Sequence, residues 1–192
     1  MDLKDIKTKR LSDIEKKIFF LAWLNGNLKA AESRAFPVLV GGSAVQLYTG
    51  GNYMSVDMDI YLDDIMPAVG ILEKYGFVKT GRHYFSAEYD LLAEFVSGHV
   101  PEKISEIEYM GKTVLISSSE EMIIDRLNAA KWRNIPKDLE WARVMISTGD
   151  GTGLNMEYLR RRAAEEDIED YLKIAFQKNA EIMAKDLDLE LG

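Results

Sequence analysis

The stretch Pro37–Leu62, PVLVGGSAVQLYTGGNYMSVDMDIYL, decides the fold. Pro37-Val38-Leu39-Val40 is a short β-branched run suited to a buried strand, and it stops at Gly41-Gly42-Ser43, where the backbone can turn sharply and start a helix. A helix beginning at Ser43 would aim unpaired N–H groups and the positive end of its dipole into the turn. With no side chain on either glycine, an anion such as phosphate can approach that backbone closely. In the second strand, Val56-Asp57-Met58-Asp59-Ile60-Tyr61-Leu62, alternation puts Val56, Met58, Ile60 and Leu62 on one face and Asp57, Asp59 and Tyr61 on the other. Two carboxylates side by side repel, and a divalent cation between them is the simplest relief. A phosphate-binding turn beside a metal-binding Asp-x-Asp strand is the equipment of metal-assisted phosphoryl or nucleotidyl transfer.

Glycine turn, short helix and SVDMDIYL together resemble the small nucleotidyltransferase fold. The likeness is nearest to minimal bacterial and archaeal members, including those related to abortive-infection toxins, and it covers residues 36–141. It implies an α+β fold, a mixed β-sheet flanked by helices with a C-terminal helical segment. It further implies that Gly41, Gly42 and Ser43 hold a nucleoside triphosphate and that Asp57 and Asp59 bind Mg²⁺ or Mn²⁺ ions, with a third carboxylate on a later strand completing the site. The reaction so implied moves a nucleoside monophosphate from NTP to the hydroxyl of an acceptor, whether an RNA end, a protein or a small molecule. Many relatives carry Arg-x-Thr-x-Asp-x-Asp where this chain has Tyr53-Met54-Ser55-Val56-Asp57-Met58-Asp59. The absent arginine and the negative net charge support an alternative, a non-catalytic nucleotide- or partner-binding module such as one half of a toxin–antitoxin pair.

The third carboxylate falls to Glu94, a charge inside the apolar run Leu91–Val96, where an unpaired carboxylate is costly unless it belongs to a site or faces solvent. With the other two acids it makes the expected catalytic and metal-binding set Asp57, Asp59 and Glu94. Asp90, of the same parity but at the start of the strand, is the competitor. His83 and His99 flank this region as lone histidines and are given no role. Downstream, the run containing Asp125-Arg126 and Lys137-Asp138 resembles the helical tail of the same minimal enzymes, which implies a nucleotide-binding role for Arg126; a salt bridge to Asp138 or a solvated helix face accounts for it as well.

The remaining elements follow from local signals. Ser12-x-x-Glu15 is a capping box opening a helix with apolar Ile14, Ile18, Leu21 and Leu24, and Gly26 marks its end or a kink before residues 28–34. Asp63 and Asp64 cap a helix with Pro67 in its first turn and Gly76 as a left-handed stop. Phe77–Thr80, His83–Ala87 and Leu91–Val96 are strands, and Met110-Gly111-Lys112 turns a hairpin between Ile104–Tyr109 and Thr113–Ile116. Ser118 and Glu121 form a second capping box, and Pro136 ends that helix. Gly149–Gly153 lacks a leading strand and a Lys-Ser/Thr step, so it is a linker and no P-loop. Beyond it the chain is helical, with Asp167 capping Ile168–Ala175 and with Arg160-Arg161-Arg162 balanced by Glu165, Glu166, Asp167, Glu169 and Asp170. The expected division is residues 1–148 as the α/β domain and 149–192 as a helical segment packed on it, offering a surface for a homodimer or a partner protein.

Across 192 residues the hydrophobic content of 47% suffices for a full core. A net charge of −8 argues against an extensive nucleic-acid surface. Zero cysteines restrict metal ligands to oxygen and histidine and fit a reducing cytoplasm. No apolar run reaches the ~20 residues of a membrane span, so no membrane association is expected.

Overall fold

A computed structural model describes residues 2–97, 100–149 and 153–177. His99 and residues 150–152 of the expected linker lie outside the described residues. The chain forms two compact units, Met1–Ser118 and the remainder from Ser119 onward.

The first unit opens with α1 (Asp5–Thr8), a single turn with no local signal in the sequence, and α2 (Asp13–Ala30). The capping box of α2 forms in both directions: Glu15 N–H donates to Ser12 Oγ at 3.3 Å, and Ser12 N–H donates to Glu15 Oε2 at 2.7 Å. Gly26 lies inside α2 and does not end it. Phe19, Phe20, Leu21, Leu24 and Leu28 are buried, each contributing roughly 1.5–3 kcal/mol over an exposed position. Seven strands among the described residues make one mixed sheet: β1 (Val38–Val40), β2 (Met58–Tyr61), β3 (Val78–Thr80), β4 (His83–Ser86), β5 (Leu91–Val96), β6 (Ile104–Tyr109) and β7 (Lys112–Ser117). Their order is β3-β4-β5-β2-β1-β7-β6, with β1 parallel to β7, β2 parallel to β5, and the other neighbours antiparallel.

Helix α3 (Gly41–Tyr48) begins at Gly41, two residues before the expected Ser43, because Val40 is already its extended N-cap residue. Strand β2 is shorter than its alternation suggested. Val56 precedes the paired residues and is 85% exposed, so it does not share the buried face of Met58 and Ile60. Helix α4 (Met66–Lys74) carries Pro67 in its first turn, Asp64 Oδ1 accepts the Met66 N–H at 3.0 Å, and Gly76 adopts φ +79° as the stop. The β6–β7 hairpin turns through Met110 and Gly111, at φ +52° and +71°.

The second unit holds α5 (Ser119–Trp132), α6 (Pro136–Gly149), α7 (Met156–Glu165) and a helical stretch over residues 169–177. Helix α5 stops at Trp132, before Pro136, which instead opens α6, where its missing N–H costs nothing. Glu121 accepts from Tyr158 Oη and from Arg162 Nε, the latter at 3.2 Å, and Arg162 also reaches Glu165 and Glu166. Arg161 pairs with Glu165 at 2.7 Å, so two members of the arginine run, Arg161 and Arg162, are matched by carboxylates. No helix among the described residues is long and apolar enough to cross a membrane.

Candidate active site

The sheet register assembles the site from residues distant in sequence. Asp59 on β2 lies opposite Val40 on β1 and opposite Glu94 on β5, and Glu94 lies opposite His83 on β4. Residues directly opposite in neighbouring strands project to one face, so Asp59, Glu94 and His83 form a row across three strands. Asp57 enters the same group just before β2 begins: its Oδ2 lies 3.3 Å from His83 Nε2, which is 3.4 Å from Glu94 Oε2. Arg82 Nε approaches Glu94 Oε2 at 2.9 Å. The Glu94 side chain is 13% exposed and that of Arg82 72%, so the acid is fixed and the arginine is free to leave it.

Asp59 sits between this cluster and the glycine turn. Its carboxyl is pushed above the ordinary aspartate range, first by burial and then by the negative charge of Asp57, with Glu94 adding to the effect. The Gly42 N–H, which donates to the carboxylate, and Arg82 oppose the shift without cancelling it. The turn is shaped to admit that side chain. Gly41 has φ +60°, and a Cβ there would stand 2.1 Å from Asp59 Oδ2, so conformation and space both require glycine. A Cβ on Gly42 would meet Ser55 Oγ at 2.8 Å and the Tyr53 ring at 3.3 Å.

Two side chains hold the loop before β2. The buried Ser43 hydroxyl donates to the Asp57 carbonyl, which also accepts from Ser55 Oγ at 3.1 Å. Lys17 on α2 is buried, and its Nζ donates to the Ser55 carbonyl at 2.6 Å and to Gln46 Oε1 at 2.7 Å, with Asp13 Oδ2 at 3.1 Å. Through Lys17 the N-terminal helix fixes the loop that delivers Asp57.

Gly41, Gly42, Ser43, Asp57, Asp59 and Glu94 thus come together in the first unit. Arg126 belongs to the second, where Nη1 lies 3.2 Å from Asp138 Oδ1, the salt bridge that the sequence allowed beside a phosphate contact, and Nη2 pairs with Asp125. Asp90 takes φ +54° and pairs with Lys16 at 3.2 Å while its own side chain is 85% exposed, and it is not one of the three groups that gather at Glu94. Sequence alone assigns His83 no role, because a lone histidine is more often a surface or satisfied polar group than a ligand. Its place two residues past the Gly81 turn, on a strand running into the Glu94 hairpin, was the signal available.

No family model and no curated protein matches this chain. Among solved structures, the crystal structure of an antigenic nucleotidyltransferase-like protein from Paracoccidioides brasiliensis is similar over 81% of this chain and 91% of that one, with a TM-score of 0.51 and 14% identity. The solution structure of the antibiotic-resistance factor ANT(2'')-Ia is similar over 90% of this chain and 96% of that one, with a TM-score of 0.44 and 17% identity. The fold is a nucleotidyltransferase-like α+β fold, a seven-stranded mixed sheet flanked by helices.

Proposed function

We propose that the protein is a metal-dependent nucleotidyltransferase, moving a nucleoside monophosphate from a nucleoside triphosphate to an acceptor hydroxyl. One observation carries this reading: Asp57, Asp59 and Glu94 converge on one sheet face beside the Gly41-Gly42 turn, and Asp59 binds its proton more tightly than an ordinary aspartate. Burial raises Asp59 first and the neighbouring Asp57 charge adds to it, and a bound cation would relieve the second of these.

The donor set fits a divalent cation. One ligand atom each from Asp57, His83 and Glu94 lie within 4.8 Å of one another, a spacing that one ion with ligand bonds of about 2.0–2.2 Å draws together readily. Carboxylate oxygens suit Mg²⁺ or Mn²⁺. When bound, the ion supplies charge neutralisation on the triphosphate and on the pyrophosphate that leaves. The chain's own residues do the rest. The turn presents backbone N–H groups at the start of α3, and a triphosphate would compete with Asp59 for the Gly42 donor. Glu94 would take the proton of the acceptor hydroxyl as its oxygen bonds to the α-phosphorus and the bond to pyrophosphate breaks. The described C-terminal helices, α7 and the stretch over residues 169–177, are proposed as the surface for a second copy or a partner protein.

The test is a calorimetric titration of a non-hydrolysable ATP analogue with Mg²⁺ and then with chelator. Binding that requires the metal and is lost in Asp57→Asn with Asp59→Asn supports the assignment; metal-independent binding, or none, refutes it. Binding without any transfer activity would instead identify a nucleotide-binding module.

A further inference from the structure

His83 occupies a position that hydrogen bonding alone does not explain. Its Nε2 faces two carboxylates at once, Asp57 at 3.3 Å and Glu94 at 3.4 Å, and a single ring nitrogen can give one proton to only one of them in good geometry. The side chain is neither a surface histidine nor a core one, being 26% exposed. The backbone holds it there: β4 pairs with β5 so that His83 lies directly opposite Glu94, while β5 pairs with β2 so that Glu94 lies directly opposite Asp59. Among the described residues, the three groups whose ligand atoms approach within 4.8 Å of one another are Asp57, His83 and Glu94. Asp59 is outside that triad, with its carboxylate turned to the Gly42 N–H.

We propose that His83 is itself a metal ligand through Nε2, so that one cation position is a two-carboxylate, one-imidazole site selective for a borderline ion such as Mn²⁺ over Mg²⁺. The inference rests on the metal-dependent reading of this site and specifies it further. Mg²⁺ prefers an all-oxygen octahedron and keeps its waters, whereas imidazole nitrogen suits the softer divalent ions. Two carboxylates alone would not discriminate between them; the nitrogen supplies the discrimination. Arg82, which neutralises Glu94 at 2.9 Å and is largely exposed, is the group that would move aside as a cation takes over that charge.

The experiment loads the full chain with Mn²⁺ alone and records electron spin-echo modulation, which registers a ¹⁴N nucleus bonded directly to the ion. The chain has 2 histidines, so His99→Gln serves as the control for His83→Gln. The expected result is nitrogen modulation in wild type and in His99→Gln and its loss in His83→Gln. Mn²⁺ affinity should fall by about tenfold or more in His83→Gln, since removing even an outer partner of a ligand costs that much, while Mg²⁺ affinity stays near the wild-type value. Bound Mn²⁺ without nitrogen modulation in wild type overturns the His83 assignment and leaves the carboxylate site standing, whether or not the variant folds. Modulation that persists in His83→Gln also overturns it. A wild-type chain that binds neither Mn²⁺ nor Mg²⁺ refutes this inference and the metal-dependent function together.

Discussion

Glu94→Gln separates a functional carboxylate from a structural one, because the two roles predict opposite signs for the metal-free protein. The change keeps the shape and removes one charge. Glu94 and Asp57 present oxygens within 4.8 Å of each other. At that separation two unit charges repel by about 0.9 kcal/mol in bulk water and about 3.5 kcal/mol at an effective dielectric of about 20. Against this relief stand the loss of the Arg82 contact at 2.9 Å, whose arginine is 72% exposed, and a change in the His83 contact at 3.4 Å, where glutamine still offers an acceptor oxygen. A pair with so exposed a partner contributes about 0–1 kcal/mol. The Coulomb relief wins or balances, so the metal-free variant should be as stable as wild type or more stable by up to about 2 kcal/mol, each kcal/mol raising Tm by roughly 2–4 °C in a chain of this size. If Glu94 serves only to anchor Arg82 and His83, losing a buried acceptor should instead destabilise by about 1–3 kcal/mol. Thermal melts in chelator and in Mn²⁺ with a nucleotide analogue read both quantities. A variant melting well below wild type in chelator, with no ligand-induced rise in wild type, would make Glu94 a structural anchor and not a site carboxylate.

The other predictions concern the parts that frame the cluster. Gly41→Ala should lower stability by at least about 1–2 kcal/mol from the left-handed backbone alone, and it should also displace Asp59, so denaturant melts and nucleotide titration should both show loss. Gly42→Val should abolish triphosphate binding while circular dichroism shows the fold retained, since its Cβ would press on Ser55 and Tyr53 at the mouth of the turn. Lys17→Met should cost about 1–3 kcal/mol in urea unfolding, because the Ser55 carbonyl and Gln46 lose a buried donor, and it should weaken metal binding through the loosened Asp57 loop. Asp90→Asn should leave metal affinity and transfer unchanged and shift stability by less than about 0.5 kcal/mol, as asparagine tolerates the left-handed backbone and the carboxylate is exposed.

Much of the sheet was legible because its signals are local. Alternation in residues 58–61 and 91–96, the Met110-Gly111 turn and the Ser12 capping box each follow from chemistry within a few residues. Glu94 stood out because a charge inside an apolar strand needs a reason. Val56 was misplaced because alternation continues past the point where β2 stops pairing, and pairing length is set by the neighbouring strand. His83 and Lys17 were not legible. Each is a single polar residue whose meaning comes from partners 26 and 29 positions away, Asp57 and Gln46, and periodicity carries no information about such pairs. Arg126 was ambiguous for a related reason, since its partner Asp138 sits on the next helix, across the break at Pro136.

Nucleotidyl transfer itself is tested most directly by following a label on the α-phosphate. Wild-type protein is incubated with α-labelled or γ-labelled nucleoside triphosphates, Mn²⁺ or Mg²⁺, and cell extract, and then RNA, protein and small-molecule fractions are separated. The expected result is that α-label becomes covalently attached in one fraction, that γ-label does not, and that Asp59→Asn abolishes the signal. Wild-type protein that binds the triphosphate yet incorporates no more α-label than Asp59→Asn, with either ion, would contradict it.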